Sequence, residues 1–245
     1  GESKDTITSA YYASANGNKK VVWHDLKTEE GRRWLEKALA DHDVVIENFK
    51  TADLPGFGLE PEALARRHPH IVHVRLIGFE GQPQRLAYDV VVQAETGFMH
   101  MNGSKDGPPM RMPVALMDVL ASHQIRMAVL EGLLARSAGK TGYFAEVSLE
   151  ASGLSALVNQ ATNHLNAGAS PARNGGLHPN IAPYGDVLHC KNGFVVLAVG
   201  NDRQFAALCI ALGKSKWAQD ARFATNHLRV QNRNDLMPLL QSAAG

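Results

Sequence analysis

Short apolar runs alternate with amphipathic stretches through the first half of this chain, and no other feature restricts its possible folds as strongly. The runs at residues 21–23, 44–46, 71–77 and 90–92 are predicted to be strands. Apolar residues with helical spacing lie between them, for example at residues 31–40. Strands that alternate with helices are typical of βαβ units, so the sequence predicts an α/β fold with a parallel sheet.

The middle of the sequence is predicted to be mainly helical. Residues 117–136 and 151–167 carry apolar side chains at three- and four-residue steps. A strand is predicted between them, at residues 143–149, where the pattern changes to alternation.

The last part of the sequence has the signs of a second, smaller domain. Glycines and prolines mark residues 167–185 as a linker. Asn192-Gly193 then lies between two apolar runs, a pattern that predicts a β-hairpin. We therefore place a domain boundary near residue 180, with a large domain at 1–180 and a small one at 181–245.

Composition argues against several classes of protein. The 245 residues carry a formal net charge of +1 with scattered lysine and arginine, so no nucleic-acid partner is expected. Without a run of about 18 apolar residues or a basic-then-apolar leader, neither a membrane span nor a signal peptide is expected. Two cysteines do not form a disulfide framework, and a reduced, cytoplasmic location fits them. Both ends are typical of cuts inside a longer protein, so we expect a chain truncated at both ends.

The histidines do not form a convincing metal site. His68, His70 and His73 lie close together, but a strand places His73 on the face opposite the other two. Zinc requires three or four convergent ligands, and no nearby carboxylate or cysteine completes such a set. His189 and Cys190 are strand neighbours that point to opposite faces. No metal or permanently bound cofactor is therefore expected.

Asp118 and the pair Gly175-Gly176 each admit a structural and a functional interpretation. Asp118 interrupts an apolar stretch at the start of a helix, where a carboxylate caps free N–H groups or acts as a nucleophile. Periodicity alone favours the cap. The two glycines either close over a ligand or form a flexible connector, and the residues alone favour the connector.

Several longer strings change this balance, because together they resemble the class III CoA-transferase (CaiB/BaiF) family, which includes formyl-CoA and carnitine-CoA transferases. The strings are SANGNKKVVWHDLKTEEGR (14–32), DHDVVIENFK (41–50), GLEPEALARRHPHIVHVRLIGF (58–79), AYDVVVQAETG (87–97), MDVLASHQIRMAVLEGLLAR (117–136), HPNIAPYGDV (178–187), GNDRQFAALCIALG (200–213) and DARFATNHLRVQNR (220–233). Their number and order make the resemblance specific, and it covers essentially the whole chain.

The resemblance implies a Rossmann-like large domain and a smaller α+β domain. It also implies an interlocked homodimer in which two ring-like protomers pass through each other, a rare exception to the rule against threaded chains. The family's opening strand and the segment that returns from the small domain are missing from this sequence. The opening segment lines part of the CoA nucleotide pocket in the family.

The resemblance assigns roles to single residues by their places in the matching strings. Asp118 matches the catalytic aspartate. The residues implied to bind coenzyme A are Asn18, Lys19, Asn48, Phe49, Arg85 and Tyr88. The loop with Gly175 and Gly176 is a candidate cover that excludes water from the reaction.

Two positions depart from the family pattern. Relatives often have a basic residue in the turn where this chain has Pro55-Gly56-Phe57, so a phosphate contact is lost or is supplied by Lys50. Relatives also often have a glycine soon after the catalytic aspartate, where residues 121–123 are Ala-Ser-His.

The implied activity is transfer of coenzyme A from an acyl-CoA to a small carboxylic acid through an aspartyl-CoA thioester. The alternatives are an α-methylacyl-CoA racemase of the same fold and an inactive CoA-binding or scaffold homologue. Racemases have a His-Asp pair where this chain has Tyr88-Asp89. A tyrosine phenol ordinarily ionises near pH 10, which makes it a poor base at neutral pH, so the transferase is favoured. The acid stays open between oxalate, succinate, other dicarboxylates and carnitine, and residues 178–187 favour small dicarboxylates.

Overall fold

The structure is a computed structural model that describes residues 9–82 and 84–244. The chain forms two compact units. The first consists of Gly1–Arg75 and Ala128–Ala145, and the second of Leu76–Met127 and Glu146–Gly245. The domain boundary near residue 180 stays a prediction.

Helices and strands alternate along the described residues. The α-helices are α1 (Ala10–Asn16), α2 (Glu29–Asp41), α3 (Leu54–Phe57), α4 (Pro61–Arg67), α5 (Asp89–Glu95), α6 (Phe98–Met101), α7 (Leu116–Ser137), α8 (Leu149–Ser155), α9 (Asn159–Ala167), α10 (Asp202–Ala211), α11 (Asn226–Gln231) and α12 (Arg233–Ala244). The strands are β1 (Val44–Glu47), β2 (Val72–Ile77), β3 (Phe144–Ser148), β4 (Tyr184–Cys190) and β5 (Gly193–Ala198). Two 3₁₀ turns lie at Thr51–Asp53 and Ser215–Gln219.

The first sheet has the strand order β1-β2-β3. β1 and β2 are parallel, with Val44 opposite Val72 and Glu47 opposite Arg75. α2 lies between these two strands along the chain, and the side chain of Thr28 caps its first turn by accepting from the Gly31 amide at 3.0 Å. The predicted α/β fold with a parallel sheet is therefore confirmed.

Each unit has a core of its own. In the first unit one buried cluster consists of Leu39, Leu54, Leu59, Leu64 and Ile71, contributed mainly by α2, α3 and α4 and the segments beside them. In the second unit the buried core residues are Leu188, Leu197, Val199, Phe205, Cys209, Phe223, Leu236 and Leu240. These core residues pack the hairpin β4–β5 against α10 and α12. The two strands of the hairpin are antiparallel, which confirms the hairpin predicted from Asn192-Gly193.

A buried arginine ties the segments around this second core to one another. Arg229 is fully buried and donates to the carbonyl oxygens of Ala182 and Phe223 at 2.7 and 3.0 Å. Its third contact is an ion pair of 2.7 Å with Asp202 at the start of α10. These partners satisfy the guanidinium, as a buried charge requires.

Three elements differ from their predictions. Residues 21–23 are not a strand, and their side chains are exposed, with Trp23 at 90%. Residues 90–92 belong to helix α5, in which consecutive residues point in different directions, so Val92 is buried while Val90 is exposed. The helix predicted at 151–167 is broken into α8 and α9 at Val158, whose φ of 44° is incompatible with a continuous right-handed helix.

Among the described residues, no helix has the length and apolar character that crossing a membrane would require.

Candidate active site

Asp118 lies in the first turn of α7, with an exposed side chain. Met117 before it and Ala121 after it are buried, so the helix is anchored on one face while Asp118 points away from that face. Partial burial, together with the Asp89 carboxylate, raises the pKa of Asp118 above that of an ordinary aspartate. The residue is thus accessible, fixed at a helix start and more basic than usual.

The Asp89 carboxylate lies at the start of the same helix. Its Oδ2 atom accepts hydrogen bonds from the amides of Met117 at 2.7 Å and Asp118 at 3.4 Å. These N–H groups belong to the first turn of α7, which has no partners for them within the helix. A carboxylate from α5 therefore serves as the cap that the sequence analysis attributed to Asp118.

Tyr88 is the residue immediately before α5 and is 67% exposed. Because Asp89 binds the first turn of α7, the Tyr88-Asp89 pair lies beside the N-terminus of the helix that carries Asp118. Arg85, three residues earlier, forms an ion pair of 2.6 Å with Glu95 and lies 3.8 Å above the ring of Phe79. A nucleotide phosphate at Arg85 would have to share the guanidinium with Glu95.

The turn after β1 is fixed by two buried charged residues of the first unit. Glu47 accepts a hydrogen bond from the Phe49 amide at 2.7 Å. Arg75 donates to the Phe49 carbonyl oxygen at 3.4 Å and to the Thr51 hydroxyl at 2.8 Å. Arg75 Nε lies 3.3 Å from Glu47 Oε1, and both side chains are less than a tenth exposed. The main chain is therefore held on both sides of Phe49, while the side chains of Asn48 and Phe49 remain exposed.

A cavity of about 550 Å³ lies beside this turn. Thr51, Arg66 and Arg75 contribute polar groups to its wall. The rest of the lining is Leu54, Pro55, Glu60, Pro61, Glu62, Ala63 and Phe144. Two arginines and two glutamates thus line the cavity, and Arg75 is also paired with Glu47. The lining therefore has no excess of positive charge to replace the basic residue that the Pro55-Gly56-Phe57 turn lacks.

Asn18 and Lys19 follow α1 and are exposed. Asn18 has a φ of 62°, a left-handed conformation that asparagine tolerates better than most residues. The Lys19 amide donates to the Asn16 carbonyl oxygen at 3.2 Å, and Lys19 Nζ lies 3.3 Å from Asn16 Oδ1. The segment is thus a tight turn, and the exposed ammonium group of Lys19 lies beside a neutral side chain, where an anion can compete for it.

The glycine pair Gly175-Gly176 has a backbone role in the second unit. Gly175 has a φ of 61° and donates its amide to the Gly103 carbonyl oxygen at 3.0 Å. A Cβ atom on Gly176 would lie 2.3 Å from the Gly185 carbonyl oxygen. Gly176 therefore permits a close approach of two backbone segments, which is a structural reason for glycine at this position.

The clustered histidines have carboxylate or aromatic neighbours. His68 Nε2 lies 2.7 Å from Glu36, and His73 Nε2 lies 3.5 Å from the buried Glu47. Within residues 9–82 and 84–244, no group of three or more His, Cys, Asp or Glu side chains is arranged to bind a metal ion.

The predicted site residues divide between the two units. Asn18, Lys19, Asn48 and Phe49 belong to the first. Arg85, Tyr88, Asp118, Gly175 and Gly176 belong to the second. No role was assigned to Asp89, Glu47 or Arg75 from the sequence. Glu47 and Arg75 are charged residues inside strands, and a charged residue in such a position indicates a buried partner.

The chain belongs to CoA-transferase family III, whose sequence model matches residues 1–245. It is similar to the succinate–glutarate CoA-transferase of Agrobacterium fabrum, with 36% identity over 242 residues that make up 97% of this chain and 60% of the relative. It is also similar to the succinyl-CoA:glutarate CoA-transferase of Mus musculus, with 34% identity over 238 residues, 96% of this chain and 54% of the relative. The chain thus spans little more than half the length of these curated relatives.

A solved structure has the same fold. A CaiB/BaiF family protein from Brucella suis aligns with a TM-score of 0.70 and 37% sequence identity, over 90% of this chain and 59% of the other. The mixed α/β architecture with a parallel sheet is therefore that of the family.

Proposed function

We propose that the protein transfers coenzyme A from an acyl-CoA to a carboxylic acid, with Asp118 as the nucleophile. The observation that carries this proposal is the accessible Asp118 carboxylate at the start of α7, whose pKa is raised by partial burial and by Asp89. A more basic carboxylate is a better nucleophile toward a thioester carbonyl. Membership of CoA-transferase family III supports this activity.

The reaction proceeds through covalent intermediates on Asp118. A carboxylate oxygen attacks the thioester carbonyl of the donor, the C–S bond breaks, and CoA thiolate leaves a mixed anhydride on the aspartate. The thiolate then attacks the aspartyl Cγ and releases the donor's acid, which leaves an aspartyl-CoA thioester. An acceptor carboxylate repeats both steps in reverse. Each step is easier than direct exchange, because the enzyme supplies a bound nucleophile and a bound leaving group.

Two other groups of residues have supporting roles in this proposal. The turn at Asn48 and Phe49, with Asn18, Lys19, Arg85 and Tyr88, contacts coenzyme A and keeps the thiolate bound between steps. The loop at Gly175 and Gly176 excludes water, since the anhydride and the thioester would otherwise hydrolyse. The fixed backbone around Phe49 supports the first role, because a rigid turn loses little entropy when it binds a ligand.

Small dicarboxylates are the proposed acids. The named relatives from Agrobacterium fabrum and Mus musculus act on succinate or its CoA ester and glutarate, and a relative from Acetobacter aceti is an acetyl-CoA:oxalate CoA-transferase that is 32% identical. These names support a dicarboxylate as acceptor, donor acid or both.

The proposed architecture of the whole protein is a Rossmann-like large domain with a smaller α+β domain, assembled as an interlocked homodimer. The parallel β1–β2 pair with its connecting helix supports the first part. A dimer of this kind forms only while the chains fold, so it is expected to be permanent.

Trapping of the intermediate tests the proposed function. The full-length protein is incubated with succinyl-CoA in the absence of an acceptor, digested at low pH, and its peptides are weighed by mass spectrometry. The expected result is a CoA-sized adduct on the peptide that contains Asp118, lost on addition of glutarate as glutaryl-CoA appears. Asp118→Ala is expected to keep less than about a tenth of wild-type kcat, a loss above 1.4 kcal/mol.

Asp106→Asn is the matched control, because Asp106 is an exposed aspartate in a loop of the same unit. It is expected to form the adduct at the wild-type rate. An adduct at another residue, or normal turnover by Asp118→Ala, would exclude Asp118 as the nucleophile.

A further inference from the structure

Helix α7 receives its cap from a different helix. Ala115, directly before α7, has no side-chain acceptor for the first amides of the helix. Asp89, the first residue of α5, supplies one carboxylate oxygen to Met117 and Asp118 instead. The orientation of the first turn of α7, and therefore of Asp118, depends on where this carboxylate lies.

Gln93 fixes the other side of the Asp89 carboxylate. It is fully buried and donates to Asp89 Oδ1 and to the Val114 carbonyl oxygen, the latter at 3.2 Å. Its own carbonyl oxygen accepts from the Met112 amide at 2.7 Å. The side chain of Gln93 thus binds both the Asp89 carboxylate and the segment that leads into α7, and all of its polar atoms have partners. A buried network in which every member is satisfied is rigid.

Asp89 carries a charge that capping alone does not require. A neutral serine or asparagine also caps a helix, and either would avoid a like charge beside Asp118. Among the described residues, Asp89 is the charged neighbour that acts on the Asp118 carboxylate. Asp118 is an anion before reaction but is uncharged as an anhydride or a thioester. Repulsion from Asp89 therefore raises the free energy of the free carboxylate and is relieved in both covalent intermediates.

We propose that Asp89 is a positioning residue for the Asp118 nucleophile, which it orients through the first amides of α7 and drives toward covalent intermediates by its negative charge. This inference rests on the proposed function, since it assigns Asp89 a part in the same reaction. In this proposal Asp89 acts on the reaction through Asp118 and has no contact of its own with the substrate.

The test is the variant Asp89→Asn in the full-length protein, which removes the charge and keeps one acceptor for the Met117 amide. It also replaces the oxygen that accepts from Gln93 by an amide nitrogen, so the melting temperature is measured beside the kinetics. The expected kcat for succinyl-CoA with glutarate falls by tenfold or more, while KM for succinyl-CoA stays within threefold of wild type. The fraction of enzyme trapped as the Asp118 thioester, at fixed concentrations of succinyl-CoA and succinate, is expected to fall by a similar factor. Asp89→Glu, which restores the charge, is expected to recover part of both losses.

A purely structural role gives different results. It predicts that Asp89→Glu recovers no more activity than Asp89→Asn, and that any loss of activity follows the loss in melting temperature. An Asp89→Asn enzyme with kcat and thioester fraction within twofold of wild type would overturn the proposal. Asp106→Asn again serves as the control and is expected to match wild type in every measurement.

Failure of the proposed function is recognised separately, by titration of the Asp118 carboxyl carbon in ¹³C NMR. If the wild-type protein transfers no coenzyme A to any acid, the proposed function is wrong. The titration still measures whether the charge of Asp89 affects the pKa of Asp118. A lower Asp118 pKa in Asp89→Asn than in wild type supports the electrostatic effect of Asp89, and an unchanged pKa refutes it.

Discussion

The Phe49 amide donates a 2.7 Å hydrogen bond to the carboxylate of Glu47, two residues before it in the chain. The Glu47 side chain is 2% exposed, so it turns back into the protein at the end of β1 while the chain itself turns outward. The parallel register of β1 and β2 places Arg75 opposite Glu47, and the same arginine binds the Phe49 carbonyl oxygen. The exposed turn proposed to bind coenzyme A therefore rests on a buried ion pair.

Glu47→Gln is expected to lower the free energy of unfolding by about 3 kcal/mol, because it leaves the buried Arg75 guanidinium without this counter-charge. The KM for acyl-CoA is expected to rise several-fold as the Phe49 turn loosens. Urea denaturation and steady-state kinetics measure the two effects. Glu36→Gln is the control, since Glu36 is half exposed and its pairs with Arg67 and His68 are expected to contribute less than about 1 kcal/mol. Equal losses in the two variants would contradict the prediction.

Asp118 is expected to reduce the stability of the folded protein at neutral pH. Its pKa in the folded state is raised, so its contribution to stability is fully present below the ordinary aspartate range and is lost as pH rises through the folded value. Asp118→Asn does not titrate, so it is expected to melt slightly higher than wild type at pH 7, on the order of 1 °C. The difference is expected to vanish near pH 3. A variant that melts lower than wild type at pH 7 would show that the Asp118 anion stabilises the fold.

Gly176→Ala is expected to destabilise the protein by about 1–3 kcal/mol, because its Cβ atom would overlap the Gly185 carbonyl oxygen and the backbone segments would have to separate. Gly200→Ala is the matched control in the same unit, where the nearest atom to an added Cβ lies at an ordinary 3.5 Å. It is expected to change stability by less than about 0.5 kcal/mol. Thermal melting distinguishes the two, and equal melting temperatures would rule out the close approach.

The protein is expected not to racemise 2-methylacyl-CoA substrates. Racemisation requires a base on each face of the α-carbon, and position 88 holds a tyrosine where the racemases have the histidine of their His-Asp pair. Proton NMR in deuterated water is expected to show no exchange of the α-proton over many turnovers of CoA transfer. Rapid α-deuteration without transfer to any acid would make the racemase the better interpretation.

The full-length protein is expected to be a homodimer that does not dissociate on dilution. Interlocked chains separate only by partial unfolding, so dilution alone has no effect on them. Light scattering at micromolar concentration and subunit exchange between labelled samples measure this, with no exchange expected over hours. A monomer, or exchange within minutes, would exclude the interlocked arrangement.

Local patterns account for the elements that the sequence predicted well. The apolar runs of β1 and β2, the spacing of α2 and α7, and the Asn192-Gly193 turn are all properties of neighbouring residues. The apolar run at 90–92 was assigned to a strand because a short run of valines does not by itself distinguish a buried strand from a helix segment. Its place in α5 was decided by tertiary contacts that bury Val92 and Gln93.

The sequence by itself determined the family and the α/β class, because matching strings and local hydrophobic patterns carry this information. The same strings predicted Asp118 as the nucleophile, and that role stays a prediction. Only the tertiary structure decided that Asp89 caps α7 and lies beside Asp118, and that Arg75 supports the Phe49 turn. The residues of these pairs are 26 to 29 positions apart along the chain. Such contacts depend on how separate elements pack, and packing is a property of the whole fold that no short segment of sequence contains.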